Sequence, residues 1–177
     1  MKPLVKNDVT LRLVEESDAE FIFNLRQNEE LSKYLNKVSS KIEDQTSFIK
    51  KSRELSAKGL EYYFIIEYKN EPVGTIRIYN INHELKTCTW GSWIIKRDLG
   101  NPKVSIISTF LIYKYCFESL GIEMIYFDVR KENLSVQKFH TSYGSKIVSE
   151  GETDIFFEFY QADFYNIFLD KFKKFLL

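Results

Sequence analysis

The residues with the most obvious capacity for chemistry fall between Ser92 and Gly144. Lys96-Arg97-Asp98-Leu99-Gly100-Asn101-Pro102-Lys103 separates an apolar run from a long helical pattern that opens at Val104. A strand that empties through a glycine-containing loop into a helix start offers unpaired backbone N–H groups and the positive end of a helix dipole, a combination suited to a phosphate. No Gly-Lys-Ser/Thr follows the loop and no Gly-x-Gly-x-x-Gly occurs there, so the P-loop and dinucleotide signatures are absent. An anion held here rests on backbone amides, with Lys96, Arg97 and Lys103 as helpers; an ordinary strand-to-helix connection is the alternative. Downstream, His140 lies on a short helical pattern. An unperturbed imidazole titrates near neutral pH and can carry a proton, although a histidine satisfied on an amphipathic helix accounts for the same residue.

These groups need elements to position them. Trp90-Gly91-Ser92-Trp93-Ile94-Ile95 is aromatic and β-branched enough for a strand, entered from Lys86-Thr87-Cys88-Thr89. On a regular strand Trp90 and Trp93 point to opposite faces. After the loop, Val104, Ile107, Leu111, Tyr115 and Leu120 recur near helical spacing. Ile106, Phe110, Tyr113 and Phe117 widen that stripe until Gly121 caps it, which predicts a helix buried on most of its circumference. Glu123 to Arg130 reads as a second strand, and Asn133 opens a helix that ends at Gly144.

Upstream, Val9 to Val14 alternates as a first strand, and Ser17-Asp18-Ala19-Glu20 and Ser40-Lys41-Ile42-Glu43 are capping boxes that open two helices, with Leu31, Tyr34 and Leu35 on a short helical piece between them. Glu61 to Tyr68 and Val73 to Tyr79 form a hairpin about a Lys69-Asn70-Glu71-Pro72 turn, and Asn80 to Leu85 is a connection. Beyond Gly144, Ser145 to Val148 and Asp154 to Tyr160 close the sheet. The segment from Phe164 to Phe175 is an amphipathic helix whose apolar face docks on its own domain or on a second subunit, with a membrane surface as the weaker alternative.

A chain of 177 residues with zero formal net charge is long enough for one well-buried domain, read here as residues 1–177, and carries no basic field for nucleic acid. Its two cysteines, Cys88 and Cys116, give neither a disulfide framework nor a metal cluster. No run is long enough to span a membrane, and the N-terminus lacks an apolar targeting region, so a reducing cytoplasm is the expected home.

The order strand, Arg97-x-x-Gly100 loop, long helix, Phe127-Asp128-Val129 strand, then Asn133, Phe139-His140 and Gly144 resembles the GCN5-related N-acetyltransferases (GNAT), in particular the branch acting on protein N-termini and small amines. The resemblance implies an α/β (α+β) fold with a mixed central sheet of about seven strands, splayed between the fourth and fifth, and flanking helices. It also implies acetyl-coenzyme A as co-substrate. Ile94, Ile95, Lys96, Arg97, Gly100, Asn101, Lys103 and Val104 then hold its phosphates and acyl arm, and Asn133 bonds the arm or caps its helix. Two departures stand out. Pro102 replaces a small residue and has no N–H to give a phosphate, and His140 stands where the family has a tyrosine that protonates the leaving thiolate.

Direct transfer requires a neutral amine, so a base or an ordered water must remove its proton. Glu67 and Asp128 on predicted strands, and Glu84 beside one, are the candidate bases; each also reads as a solvated strand carboxylate. Ser92 orients the amine or thiol. The Trp-Gly-Ser-Trp strand and the run from Asp128 to Asn133 resemble acetyltransferases of sugar-modification pathways, which makes a small-molecule amine on a nucleotide-linked sugar the first expected acceptor. A protein N-terminus or a polyamine is the second, and a non-catalytic acyl-coenzyme A-binding module, with or without homodimerisation, is the reading from a different class.

Overall fold

Among the described residues, every pair of neighbouring strands but one is antiparallel, and the exception organises the sheet. The computed structural model describes residues 1–96 and 102–177. Its strands are β1 (Leu4–Lys6), β2 (Val9–Leu13), β3 (Tyr62–Tyr68), β4 (Glu71–Asn82), β5 (Thr87–Ile95), β6 (Met124–Arg130), β7 (Lys146–Glu150) and β8 (Asp154–Tyr160). They form one eight-stranded sheet in the order β1-β2-β3-β4-β5-β6-β8-β7, with β5 and β6 parallel. The sequence led to an expectation of about seven strands. The additional one is β1, only three residues long and paired with β2 through a tight turn at Asn7, whose φ of 51° is left-handed. It moves the splay from the fourth and fifth strands to the fifth and sixth.

Pairing between β5 and β6 is confined to Thr87–Met124, Cys88–Ile125 and Thr89–Tyr126. Beyond that point the two strands run on without pairing to each other. A bulge in β5 contributes to the separation. Thr75 of β4 pairs with Ile94 and Arg77 with Gly91, so Ser92 and Trp93 together oppose the single residue Ile76. Ser92 has φ 50°, and the inserted residue shifts the alternation of side chains. Trp93 therefore lies on the same face as Trp90, ring centroids 5.4 Å apart, and not on the opposite face that a regular strand predicts.

The β3–β4 hairpin is tighter than expected. Tyr68 pairs with Glu71, leaving Lys69 and Asn70 as a two-residue turn with φ of 53° and 66°, the pattern of a type I′ turn. Pro72 accordingly lies inside β4. The connection expected at Asn80 to Leu85 is also shorter, because β4 continues to Asn82.

Helices cover the two faces unequally. On one face lie α1 (Ala19–Gln27), the short α2 (Glu29–Ser32) and α3 (Ile42–Ala57), where Val14, Ala19, Ile22, Ile49, Tyr63 and Ile65 form a small core of their own. On the other lies α4 (Pro102–Lys114), which runs into a π-helical turn at Tyr115–Ser119, together with α5 (Leu134–Thr141). Val104, Ile106, Ile107, Leu111, Ile112 and Tyr113 are all buried, as a helix apolar on nearly every side requires. Pro102 is the first residue of α4, where a missing N–H costs the helix nothing. The chain ends in a helical segment made of α6 (Gln161–Asp163), a π turn at Phe164–Phe168 and α7 (Leu169–Leu176). Phe164, Phe168 and Phe172 enter the main core, so this segment docks on its own sheet. No helix among the described residues is long and apolar enough to cross a membrane.

Gly74 fixes how closely β4 approaches the bulged strand. A Cβ built there would lie 2.2 Å from the backbone oxygen of Ile94, a contact that only backbone displacement can relieve. Gly74→Ala should lower unfolding free energy by about 3 kcal/mol in urea titrations; an unchanged midpoint would mean that the approach is not rigid.

Candidate active site

The gap between β5 and β6 opens into a cleft of about 720 Å³, within the range of small-molecule sites. Its walls come from the ends of β5 and β6, the start of α5, and the α1–α3 region with the loop at 33–41. Trp90 and Trp93 line it, and their buried indole N–H groups have no acceptor among the described residues. Asn133 also lines the cleft. It occupies the N-cap position of α5 but makes no side-chain cap bond; its Oδ1 accepts from Ser135 Oγ at 3.2 Å. Buried donors without partners, beside strand edges that pair with nothing, fit an extended arm that carries amide and thioester carbonyls.

The structure brings together His140, Asp128, Ser92, Ile94, Ile95 and Asn133 around this cleft. Val104 is fully buried in the first turn of α4, so only its backbone could serve a ligand. Lys103 belongs to the same turn. Lys96 does not line the cleft: its N–H donates to Val73 O at 2.8 Å and its ammonium lies over the Phe21 ring, 5.0 Å from the centroid. Arg97, Gly100 and Asn101 lie outside the described residues.

Glu67 is not at the site. Arg12 holds it through Nε at 2.7 Å while its Nη atoms grip Asp18 at 2.7 and 2.8 Å, and none of the three lines the cleft. A carboxylate in such a cluster is committed to structure. Glu84 lies exposed in the turn between β4 and β5. Asp128 does reach the cleft. It is solvent-accessible on its open side, yet crowding by protein raises its pKa, the nearby Asp154 charge raises it further, and Arg130 opposes both. A carboxylate shifted toward neutrality is suited to proton transfer.

His140 differs from the sequence expectation in one respect that matters. It is buried in an aromatic cage, its ring centroid 4.4 Å from Phe127 and 5.5 Å from Trp90, and burial lowers its pKa to about 3. The imidazole is therefore neutral at physiological pH. Its Nδ1 is hydrogen-bonded to Tyr143 Oη, which in turn meets Tyr113 Oη at 2.8 Å. Burial raises both phenols, so all three groups are uncharged. With Tyr143 donating to Nδ1, the ring carries its proton on Nε2 and can offer it as a hydrogen bond.

Asp128 and His140 approach the gap from opposite faces. Phe127, which packs on His140, and Asp128 are consecutive in β6 and project to opposite sides. On the Asp128 side, Arg77 and Tyr79 of β4, Tyr63 of β3, Arg26 of α1, and Gln45 and Phe48 of α3 complete the wall. The sequence reading passed over these. Arg77 between Ile76 and Ile78 was visible as a polar residue facing one side of an apolar strand, and Tyr143 stands three residues after His140, in the turn that follows α5. Arg26 and Gln45 gave no signal, because their relation to the cleft depends on how α1 and α3 pack.

An open mixed sheet whose parallel pair splays beside the start of a buried helix is the architecture that the resemblance to the acetyltransferases implied. The chain belongs to the acetyltransferase (GNAT) domain family, which matches residues 8–146 and whose co-substrate is acetyl-coenzyme A. It is an N-acetyltransferase of that family. The structure of FdhC, described as a nucleotide-linked sugar GNAT, is similar over 99% of both chains at 34% identity and a TM-score of 0.88. Spermidine N-acetyltransferase from Vibrio cholerae, in complex with coenzyme A and spermine, shares the fold with a TM-score of 0.77 and 18% identity over 90% of this chain and 99% of its own. Mycobacterium smegmatis RimJ does so with a TM-score of 0.80 and 18% identity over 98% of this chain and 92% of its own. No curated protein matches the sequence significantly.

The neutral state of His140 has a measurable consequence. Its folded pKa lies below the ordinary value of 6.5, so the unfolded chain binds the extra proton: the stabilisation is complete above pH 6.5 and is lost as pH falls toward about 3. Urea unfolding of the wild type between about pH 6.5 and 4 should show a loss steeper than in His140→Phe by up to about 1.4 kcal/mol per pH unit. Parallel slopes would show that the ring is not buried in the neutral form.

Proposed function

We propose that this chain transfers the acetyl group of acetyl-coenzyme A to the amino group of a nucleotide-linked sugar. The observation that carries the reading is the 34% identity to the nucleotide-linked sugar GNAT FdhC over 99% of both chains, joined to a cleft with polar groups on its acceptor side. Residues 1–177 act together in this reading as one domain. The thioester supplies an activated acyl group with a good leaving thiolate; the residues of the chain position it and move protons. Backbone groups of Ile94 and Ile95 and the amide of Asn133 hold the arm, and the first turn of α4, with Lys103 and Val104, faces the phosphates. Pro102 removes one backbone donor from that turn, so the side chains of the loop share more of the anion.

Asp128 serves as the base that takes a proton from the acceptor ammonium, directly or through water, its raised pKa matching that task better than an ordinary carboxylate. On the opposite face, the neutral His140 offers its Nε2–H as a hydrogen bond to the sulfur as the C–S bond breaks, while the Tyr143 hydroxyl supports Nδ1, and the thiolate takes its proton from water. Ser92, at the bulge, orients the amine or thiol, and its carbonyl accepts from Thr75 Oγ1 at 2.8 Å, which fixes the strand there.

The assay follows thiol release with acetyl-coenzyme A and a panel of nucleotide-linked amino sugars, free amino sugars, polyamines and peptides. Turnover should be greatest with a nucleotide-linked amino sugar, and Asp128→Asn should reduce its kcat by about 100- to 10,000-fold while leaving coenzyme A affinity within twofold. Preferred turnover of a polyamine or a peptide N-terminus would overturn the acceptor assignment, and undiminished turnover in the variant would remove Asp128 as base.

A further inference from the structure

Three buried donors on the acceptor side of the cleft have no hydrogen-bond acceptor among the described residues: Arg26 Nε, Arg77 Nε and Gln45 Nε2. They come from three elements, the last turn of α1, the middle of β4 and the first turn of α3. The two arginines are held in place by other contacts. Arg26 donates through Nη2 to Asn36 O at 2.6 Å. The Arg77 guanidinium lies over the Tyr79 and Phe48 rings at 4.3 and 5.3 Å from their centroids. The carboxylate that approaches Arg77, Glu61, stands 4.0 Å away, and its Oε1 already accepts from Ser52 Oγ at 2.7 Å. Burial, with the charge of Arg77 adding to it, lowers the pKa of Arg26, and the phenol of Tyr63 feels both guanidinium charges.

Two cations held close together in a partly desolvated wall, with donors left over, carry a free-energy cost that a bound anion relieves. Arginine is the side chain whose planar fork matches phosphate or carboxylate oxygens. We infer that Arg26, Gln45 and Arg77 form a seat for an oxyanion of the acceptor, a phosphate or a carboxylate, which sets the distance of its amine from the splay. Arg77 pairs with Gly91, the residue before the bulge, so a group bound at this seat is next to the strand where transfer takes place. The inference rests on the acceptor reading above and adds to it the residues that recognise the acceptor's charge.

The test uses one binding and one kinetic measurement. With the donor site filled by saturating coenzyme A, inorganic pyrophosphate and, separately, malonate are titrated while Tm is followed. A Tm rise in the wild type that is lost in Arg26→Gln and Arg77→Gln supports the seat, and the probe that produces it distinguishes phosphate from carboxylate. In the kinetic arm, kcat/KM for a nucleotide-linked amino sugar and for an amino-hexuronic acid is each divided by that for a neutral amino sugar. The ratio for the matching anion should fall about 10- to 100-fold in each variant, through KM. Gln45→Leu provides the same readouts if an arginine variant fails to fold. Absence of a Tm rise with both anions, or equal ratios in wild type and variants, overturns the seat. If no amine is turned over but the arginine-dependent Tm rise persists, the acceptor reading fails and the seat stands.

Discussion

Parallel pairing between β5 and β6 stops after Thr89 and Tyr126, and the remaining architecture follows from that termination. Two strands that diverge inside a sheet leave backbone N–H and C=O groups without their usual partners, and buried groups of that kind are tolerated only where something else satisfies them. Here the far side of β5 is occupied by β4, with which it remains paired up to Ile95, and the far side of β6 by β8, paired along its whole length. The edges that face each other are the free ones. The bulge at Ser92 and Trp93 bends β5, and Trp90, Trp93, Phe127 and His140 fill one side of the gap with rings too large for the strands to close over.

The same aromatic filling sets the electrostatics. On the α4 and α5 face the medium around His140 is apolar, which removes the charge from the imidazole and leaves it, Tyr143 and Tyr113 as a neutral hydrogen-bonded chain. On the opposite face of β6 Asp128 is exposed, so it keeps access to solvent and a charged form remains attainable. One gap thus has a neutral hydrogen-bond donor on one side and an ionisable proton acceptor on the other. Transfer from a thioester to an amine needs that polarity, since one proton leaves the nucleophile while another is taken up by the leaving group.

Much of this was legible in the sequence, and the exceptions share a cause. The alternating run of β2, the β-branched and aromatic runs of β3, β6 and β8, the buried stripe of α4 and the His140 helix all depend on pattern or composition within a single element, and each of these elements is present. What was not legible depends on a one-residue irregularity or on packing between elements. The bulge reversed the face of Trp93, and a three-residue edge strand was too short to show alternation. Glu67 looked available until Arg12, fifty-five residues earlier, was seen to hold it. The tendency of His140 to titrate near neutral pH was a statement about an isolated ring, and the cage that changes it is drawn from β5, β6, α5 and β8. The Arg97 and Gly100 pair that carried the resemblance lies outside the described residues.

The separation of cores explains how one fold accommodates different acceptors. α1 and α3 pack on the sheet through their own small cluster around Ile22, Ile49 and Ile65, apart from the larger core beneath α4 and the C-terminal helix. Residues on the outer faces of α1 and α3 and in the loop between them can therefore change without repacking the strands that form the splay. Arg26, Gln45 and Phe48 lie on that independent wall, whereas His140, Trp90 and Phe127 are fixed in the larger core or directly against it. The fold itself is shared with a spermidine acetyltransferase at 18% identity. The loop at 33–41 belongs to that wall as well: Asn36 accepts from Arg26 through its backbone oxygen and from Arg130 through its side chain, so one residue joins α1 to β6 across the mouth of the cleft. Any acceptor that displaces Asn36 frees a donor on each side, and its own polar groups must replace both bonds if binding is to be favourable.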